Sequence, residues 1–166
     1  TYDPHYPVGL GSNQTTSLGL SLGNRLSEET SLFDEAGGSY TRSAQGNGLI
    51  AGTSAIVSRS FGVTFLTRKL MTEDDRLSVS LKQPLRVVSG KAAVVVPGID
   101  DNGVPQYNNE QLSLVPNGRE TDFRMAYETP LGKTQTLSFQ VGARRDVMNI
   151  AGNRDAGVGA VWSARF

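Results

Sequence analysis

The chain has no cysteine among its 166 residues. That excludes a disulfide framework and any thiolate nucleophile or ligand. It has one histidine, His5, set between Pro4 and Pro7, so neither a Ser–His relay nor a histidine metal site finds its partners. Charge of neither sign prevails: 16 Lys and Arg stand against 16 Asp and Glu, which removes the electrostatic case for binding nucleic acid. No apolar run approaches the roughly 20 residues of a spanning helix. The residues from Thr1 onward do not read as a signal peptide, which is compatible with a mature, a truncated or a processed chain. What is present is 19 glycines with abundant Ser and Thr, a composition of strands and turns.

The pattern along the chain is period two. Residues 1–13 carry Pro4, Pro7, Gly9 and Gly11 without periodicity and read as a linker. From Gln14 to Asn24, Leu18, Leu20 and Leu22 alternate with Ser17, Gly19 and Ser21, which predicts a strand. Residues 25–48 are weakly patterned: a poor strand or turn to Phe33, then a polar, Gly-rich loop, and Leu49 to Val57 reads as a short strand. From Ser60 the alternation strengthens, with Phe61, Val63 and Phe65, then Leu77, Val79 and Leu81 after the polar turn Thr72–Asp75. The pattern carries this second strand past Pro84 and Gly90 to Val96, those two residues marking bulges. A polar loop follows from Ile99 to Glu110, and a second long strand runs from Leu112 to Thr129, with Phe123, Met125 and Tyr127 on one face. After the turn Pro130–Lys133, Leu137, Phe139, Val141 and Ala143 alternate with Thr136, Ser138, Gln140 and Gly142.

The last eleven residues are the most informative. Val158, Ala160, Trp162, Ala164 and Phe166 form one apolar row, against Gly157, Gly159, Ser163 and Arg165 on the other side, where Val161 is the one sizeable apolar residue. A closing strand with one apolar face and a terminal aromatic is what an outer-membrane β-barrel places last, with alternate residues facing lipid and lumen. It resembles the C-terminal signal read by the bacterial barrel-assembly machinery. The connections alternate between short turns and long polar loops, as in such barrels. The expectation is an all-β, antiparallel up-and-down β-barrel of the outer-membrane type over 14–166, with about eight strands or forming part of a larger barrel.

Several short runs carry a resemblance. Asp75-Arg-Leu-Ser-Val-Ser-Leu-Lys-Gln-Pro-Leu-Arg-Val-Val-Ser-Gly90, Leu112-Ser-Leu-Val-Pro-Asn-Gly-Arg-Glu120, Thr129-Pro-Leu-Gly132 and Ala143-Arg-Arg-Asp146 resemble, in order, the C-terminal autotransporter-like β-domain of Gram-negative subtilisin-like serine peptidases. The resemblance spans about 49–166. It implies a domain that exports or holds an N-terminal passenger protease absent from this chain. The implied partners are outer-membrane lipid, the barrel-assembly machinery and the passenger itself. The implied location is the outer membrane, with the cell surface as the alternative.

Other motifs yield to plainer readings. Gly52-Thr-Ser-Ala55 imitates the nucleophile of the subtilisin family, but its setting is β-like and it lacks a general base. Gly46-Asn-Gly-Leu-Ile-Ala51 fits a dinucleotide pattern without the strand and helix that pattern needs. Asp100-Asp-Asn-Gly103 lacks the spaced ligands of a calcium loop, and Asn13-Gln-Thr15 is a formal glycosylation sequon. No catalytic, metal or cofactor residue is assigned, and the chain is not expected to be an enzyme. Charged residues on the strands must face a lumen, because Lys or Arg facing lipid costs roughly 2–4 kcal/mol at the midplane. The candidate lumenal set is Lys82, Glu120, Asp122, Arg124, Glu128 and Arg165, with Arg144 as a further balancing charge. The rival reading is a soluble or surface-assembled β-sandwich that pairs with partner chains through its sheet edges. It draws on the 7% aromatic content, thin for interfacial girdles.

Overall fold

The computed structural model describes residues 9–10, 13–47 and 49–165. They form an all-β structure of antiparallel sheets. The strands are β1 (Gly9–Leu10), β2 (Thr15–Arg25), β3 (Thr30–Thr41), β4 (Ala44–Asn47), β5 (Ile50–Thr53), β6 (Ile56–Arg68), β7 (Arg76–Ser89), β8 (Lys91–Ile99), β9 (Pro105–Ser113), β10 (Thr121–Pro130), β11 (Gln135–Arg145) and β12 (Arg154–Ala164), with one 3₁₀ turn at Val147–Asn149. Seven strands make a meander in the order β12-β11-β10-β7-β6-β3-β2, and five make a second sheet, β1-β4-β5-β8-β9. Among the described residues neither sheet closes into a barrel, and the meander ends on two free edges, β2 and β12.

By packing, the chain divides into two compact units. One gathers Thr1–Leu18, Gly38–Arg59 and Val87–Pro116; the other gathers Gly19–Gly37, Ser60–Arg86 and Asn117–Phe166. In the first unit, β8 and β9 pair along their whole length, from Lys91↔Ser113 to Ile99↔Pro105. In the second unit, β10 pairs on one side with β7 and on the other with β11, which pairs in turn with β12. Neighbours in space are mostly neighbours in sequence, as tight turns between antiparallel strands require.

The structure departs from the sequence pattern in five places. A full strand, β3, occupies 30–41, where polar Asp34 and Glu35 and the Gly37–Gly38 pair hide the alternation. The long strand through Gly90 ends at Ser89. Gly90 has a φ of +152°, a conformation that favours glycine, and a Cβ there would stand 3.2 Å from Ile56 Cγ1. The chain leaves the seven-stranded sheet at this residue and enters the five-stranded one. The second long strand is likewise two strands, β9 and β10, in different sheets. Most of the polar segment 99–110 is hairpin rather than loop, turned at Asp100, whose Oδ1 accepts from the N–H groups of Asn102 and Val104. Finally, the turn placed at Thr72–Asp75 spans 69–75.

Among the described residues neither sheet has an apolar interior. Ala92, 9% exposed, is the one buried apolar side chain among the described residues. Burial elsewhere falls on polar groups: Ser58, Asp75, Gln83 and Glu120.

Candidate functional site: a sheet with two unlike faces

The pairing registers of the second unit sort its side chains. Successive residues of a strand point to opposite faces, so registered partners share a face. One face carries the rows Leu81–Phe123–Ala143–Ala156, Val79–Met125–Val141–Val158 and Leu77–Tyr127–Phe139–Ala160, and Leu137 opposite Trp162. These rows are continuous across four strands and open to their surroundings. Phe139 is 46% exposed, Val158 85% and Trp162 59%.

The opposite face is polar. Lys82, Asp122, Arg144 and Asp155 stand in one cross-strand row, alternating in sign. Arg144 is ion-paired with Asp155. At the other end of the row, Lys82 Nζ lies 2.9 Å from Glu35 Oε2 on β3. Gly62 on the intervening β6 makes that pair possible, since a Cβ there would stand 3.1 Å from Lys82 Cγ and 3.3 Å from Glu35 Oε2. Arg76 and Glu128 form a second cross-strand pair at 2.8 Å. Between these charged levels the face is made of small residues. Ser78, Ser80, Ala126, Gly142, Gly157 and Gly159 floor a hollow of about 530 Å³, with Arg124 and Gln140 in its lining. Arg124 reaches Asp122 only at 4.0 Å and is 71% exposed.

The turn end is held by one carboxylate. Asp75, 1% exposed, accepts from the N–H groups of Leu70, Met71 and Thr72 at 2.7–3.0 Å and from Tyr127 Oη at 2.8 Å. Burial pushes this carboxyl up, but the Met71 and Thr72 N–H groups, the Tyr127 hydroxyl and the Leu70 N–H together hold it below its ordinary value. Close to the neighbouring turn, Trp162 Nε1 donates to Gln135 Oε1 at 3.2 Å. Tyr127 and Trp162 therefore share the apolar face, each with its polar atom satisfied toward the turns.

The opposite end of β10 and β11 is knitted by a loop. Asp146 accepts from the N–H groups of Gly152 and Arg119, which lower its pKa. Met148 N–H donates to Glu120 Oε2 at 2.8 Å, and Glu120 N–H donates to Asn149 Oδ1. Asp146, Met148 and Asn149 all have positive φ, held by these bonds.

The predicted polar set divides accordingly. Lys82, Asp122, Arg124 and Glu128 share the polar face. Glu120 precedes β10, and its carboxylate serves the loop instead of joining them. Arg165 follows β12, where its N–H donates to Thr134 O. Of the terminal row, Val158, Ala160, Trp162 and Ala164 lie on the apolar face of β12; Phe166 lies outside the described residues, as does His5. Sequence reasoning missed Asp75, Glu35, Gly62, Arg76 and Asp155. The first was legible as the closing acid of a polar turn, where Asx side chains bind nearby N–H groups.

The remaining motifs have local roles. Ser54 Oγ donates to Ala55 O and accepts from Lys91 N–H, which commits it to a strand junction. No group of three or more His, Cys, Asp or Glu able to hold a metal occurs among the described residues. None of their helices is long and apolar enough to cross a membrane. Comparison with family models, with curated proteins and with solved structures gave no match.

Proposed function

We propose that this chain is an outer-membrane β-barrel domain of the translocator or anchor type, serving an N-terminal subtilase-like passenger. One observation carries the membrane part: a continuous apolar face on long strands whose side chains, among the described residues, stay largely exposed. In water such a face is a liability; against acyl chains it is what a spanning strand requires. Three further features support the reading. The seven meander strands are 10–14 residues long, and a tilted crossing takes roughly 9–11. Apart from Arg145 and Arg154, which meet Thr121 at the loop end of the rows, every Lys, Arg, Asp and Glu in register is on the other face. Tyr127 and Trp162 sit near the turns, where amphipathic rings meet a membrane–water boundary. The passenger and the translocating role rest on the resemblance over 49–166.

In this reading the chain's task is to position a passenger. The edge-pairing rival draws its support from the free edges β2 and β12, but as a sandwich it would have to bury the apolar rows between two sheets. Expression in a Gram-negative host with a cleavable leader separates the two. The proposal expects recovery in the outer-membrane fraction, resistance to alkaline extraction, and loss of that partitioning when Phe166 is deleted. Soluble recovery of both forms would overturn it.

A further inference from the structure

The two free edges of the meander cannot close on each other in an all-antiparallel barrel. Direction alternates at each step of β12-β11-β10-β7-β6-β3-β2, so β2 and β12, separated by five strands, run the same way. Joining them would make a parallel pair. Two copies of the chain fare no better. Joining β2 of one to β12 of the next is again parallel, and pairing two β12 strands antiparallel would turn one copy upside down in the membrane. This last exclusion rests on the membrane reading; the rest is strand parity alone.

The polar face says more about what belongs there. Its charged row alternates in sign: Glu35, Lys82, Asp122, Arg144, Asp155. Asp122 stands between two cations, Lys82 and Arg144. Asp155 has Arg144 on one side and the open edge on the other, and it is 52% exposed. Below it, Gly157 and Gly159 leave no bulk on the polar side, whereas Val158, Ala160 and Trp162 continue the apolar rows to the edge.

We infer that the β12 edge is a docking site for a further strand antiparallel to it. That strand carries a Lys or Arg opposite Asp155 and an apolar row opposite Val158, Ala160 and Trp162. An odd number of such strands bridges β12 to β2, bringing the barrel to the even count that bacterial barrels show. The cation extends the sign alternation by one place and fixes the register, since a slip of one residue would move every side chain to the wrong face.

The absence of cysteine makes the test clean. The Ala160→Cys chain in detergent micelles is offered two synthetic strand peptides. Both alternate Val with Ser and carry a Cys opposite position 160; one has Arg opposite Asp155 and the other Glu. The expected result is a disulfide yield at least about tenfold higher for the Arg peptide, as like charges placed together are strongly disfavoured. Asp155→Lys reverses the preference. Asp155→Asn, which adds no charge, abolishes it while hydrogen exchange in β10 and β11 stays unchanged. Equal yields for the two peptides would overturn the inference. So would a disulfide closing β12 onto β2 in the Leu20→Cys, Ala160→Cys double variant. Register is read without lipid, so a preserved Arg preference in a chain that fails to partition into membranes would reject the membrane reading and leave the docking edge standing.

Discussion

The two sheets use the same backbone chemistry at different lengths. The seven-stranded meander has strands of 10–14 residues with an apolar face and a polar face. The five-stranded sheet has strands of 2–9 residues, and its β9, Pro-Gln-Tyr-Asn-Asn-Glu-Gln-Leu-Ser, is exposed throughout. Strands in water-soluble proteins centre on roughly 5–6 residues, so the short sheet is ordinary and the meander is not. The difference lies in what the strands carry: each long strand adds residues to two unlike faces, whereas β9 presents exposed side chains along its whole length. On the membrane reading proposed above, the longer strands match the thickness of an apolar layer.

The comparison breaks most easily at the centre of the apolar rows. Phe139→Arg is expected to destabilise the domain in lipid vesicles by roughly 2–4 kcal/mol, the depth-dependent cost of a lipid-facing Arg. The neighbouring Ser138→Arg, on the polar face, should cost far less. Urea titration of the reconstituted protein measures both. Equal small effects would place both faces in water, where replacing an exposed residue changes stability by only about 0.5 kcal/mol.

The next effect concerns the turn end. Asp75 has a depressed pKa, so the stability it contributes is present above the unfolded carboxyl value, about 3.9. That contribution is lost as pH falls through the lower folded value. Asp75→Asn should remove this acid limb and lower stability at neutral pH, because three N–H groups and the Tyr127 hydroxyl lose their charged acceptor. A pH series of unfolding midpoints checks this; a variant retaining the wild-type acid limb contradicts it.

A smaller change tests the polar row. Lys82→Glu should cost about 0.2–1 kcal/mol, the range of an exposed ion pair. Adding Glu35→Lys should recover part of that through the restored pair, with Asp122 opposing full recovery. Non-additivity in the double-mutant cycle is the readout. Smallest of all, Tyr107→Ser on β9, where Tyr107 is 74% exposed, should shift stability by no more than about 0.5 kcal/mol. A large loss there would show that the short sheet also depends on an apolar surface.

Much of the meander was legible because its apolar residues sit at period two and the ladders bring those rows into one register. Leu77, Phe123, Phe139 and Trp162 could each be placed on a face from their neighbours alone. What escaped was of two kinds. Alternation does not record which sheet a strand belongs to, so Gly90 and the segment 114–120 looked like irregularities in long strands when they are changes of sheet. Parity also misleads past a strand's end: Glu120 matches Asp122 and Arg124 in spacing, yet lies outside β10, where its carboxylate turns to Met148. Asp155 was passed over because the pattern ends the loop there and starts the strand at Ala156, whereas β12 begins at Arg154.

The order of the meander bears on how it forms. β12, β11 and β10 pair in chain order, as do β7 with β6 and β3 with β2, while β10–β7 and β6–β3 join strands separated by segments of the other sheet. Loop closures between β10, β11 and β12 are short and entropically cheap, and contacts of this kind favour fast, stepwise zippering. Hairpin by hairpin addition needs no complete ring to begin. The sheet can grow from a single edge, with β12 as its growing margin.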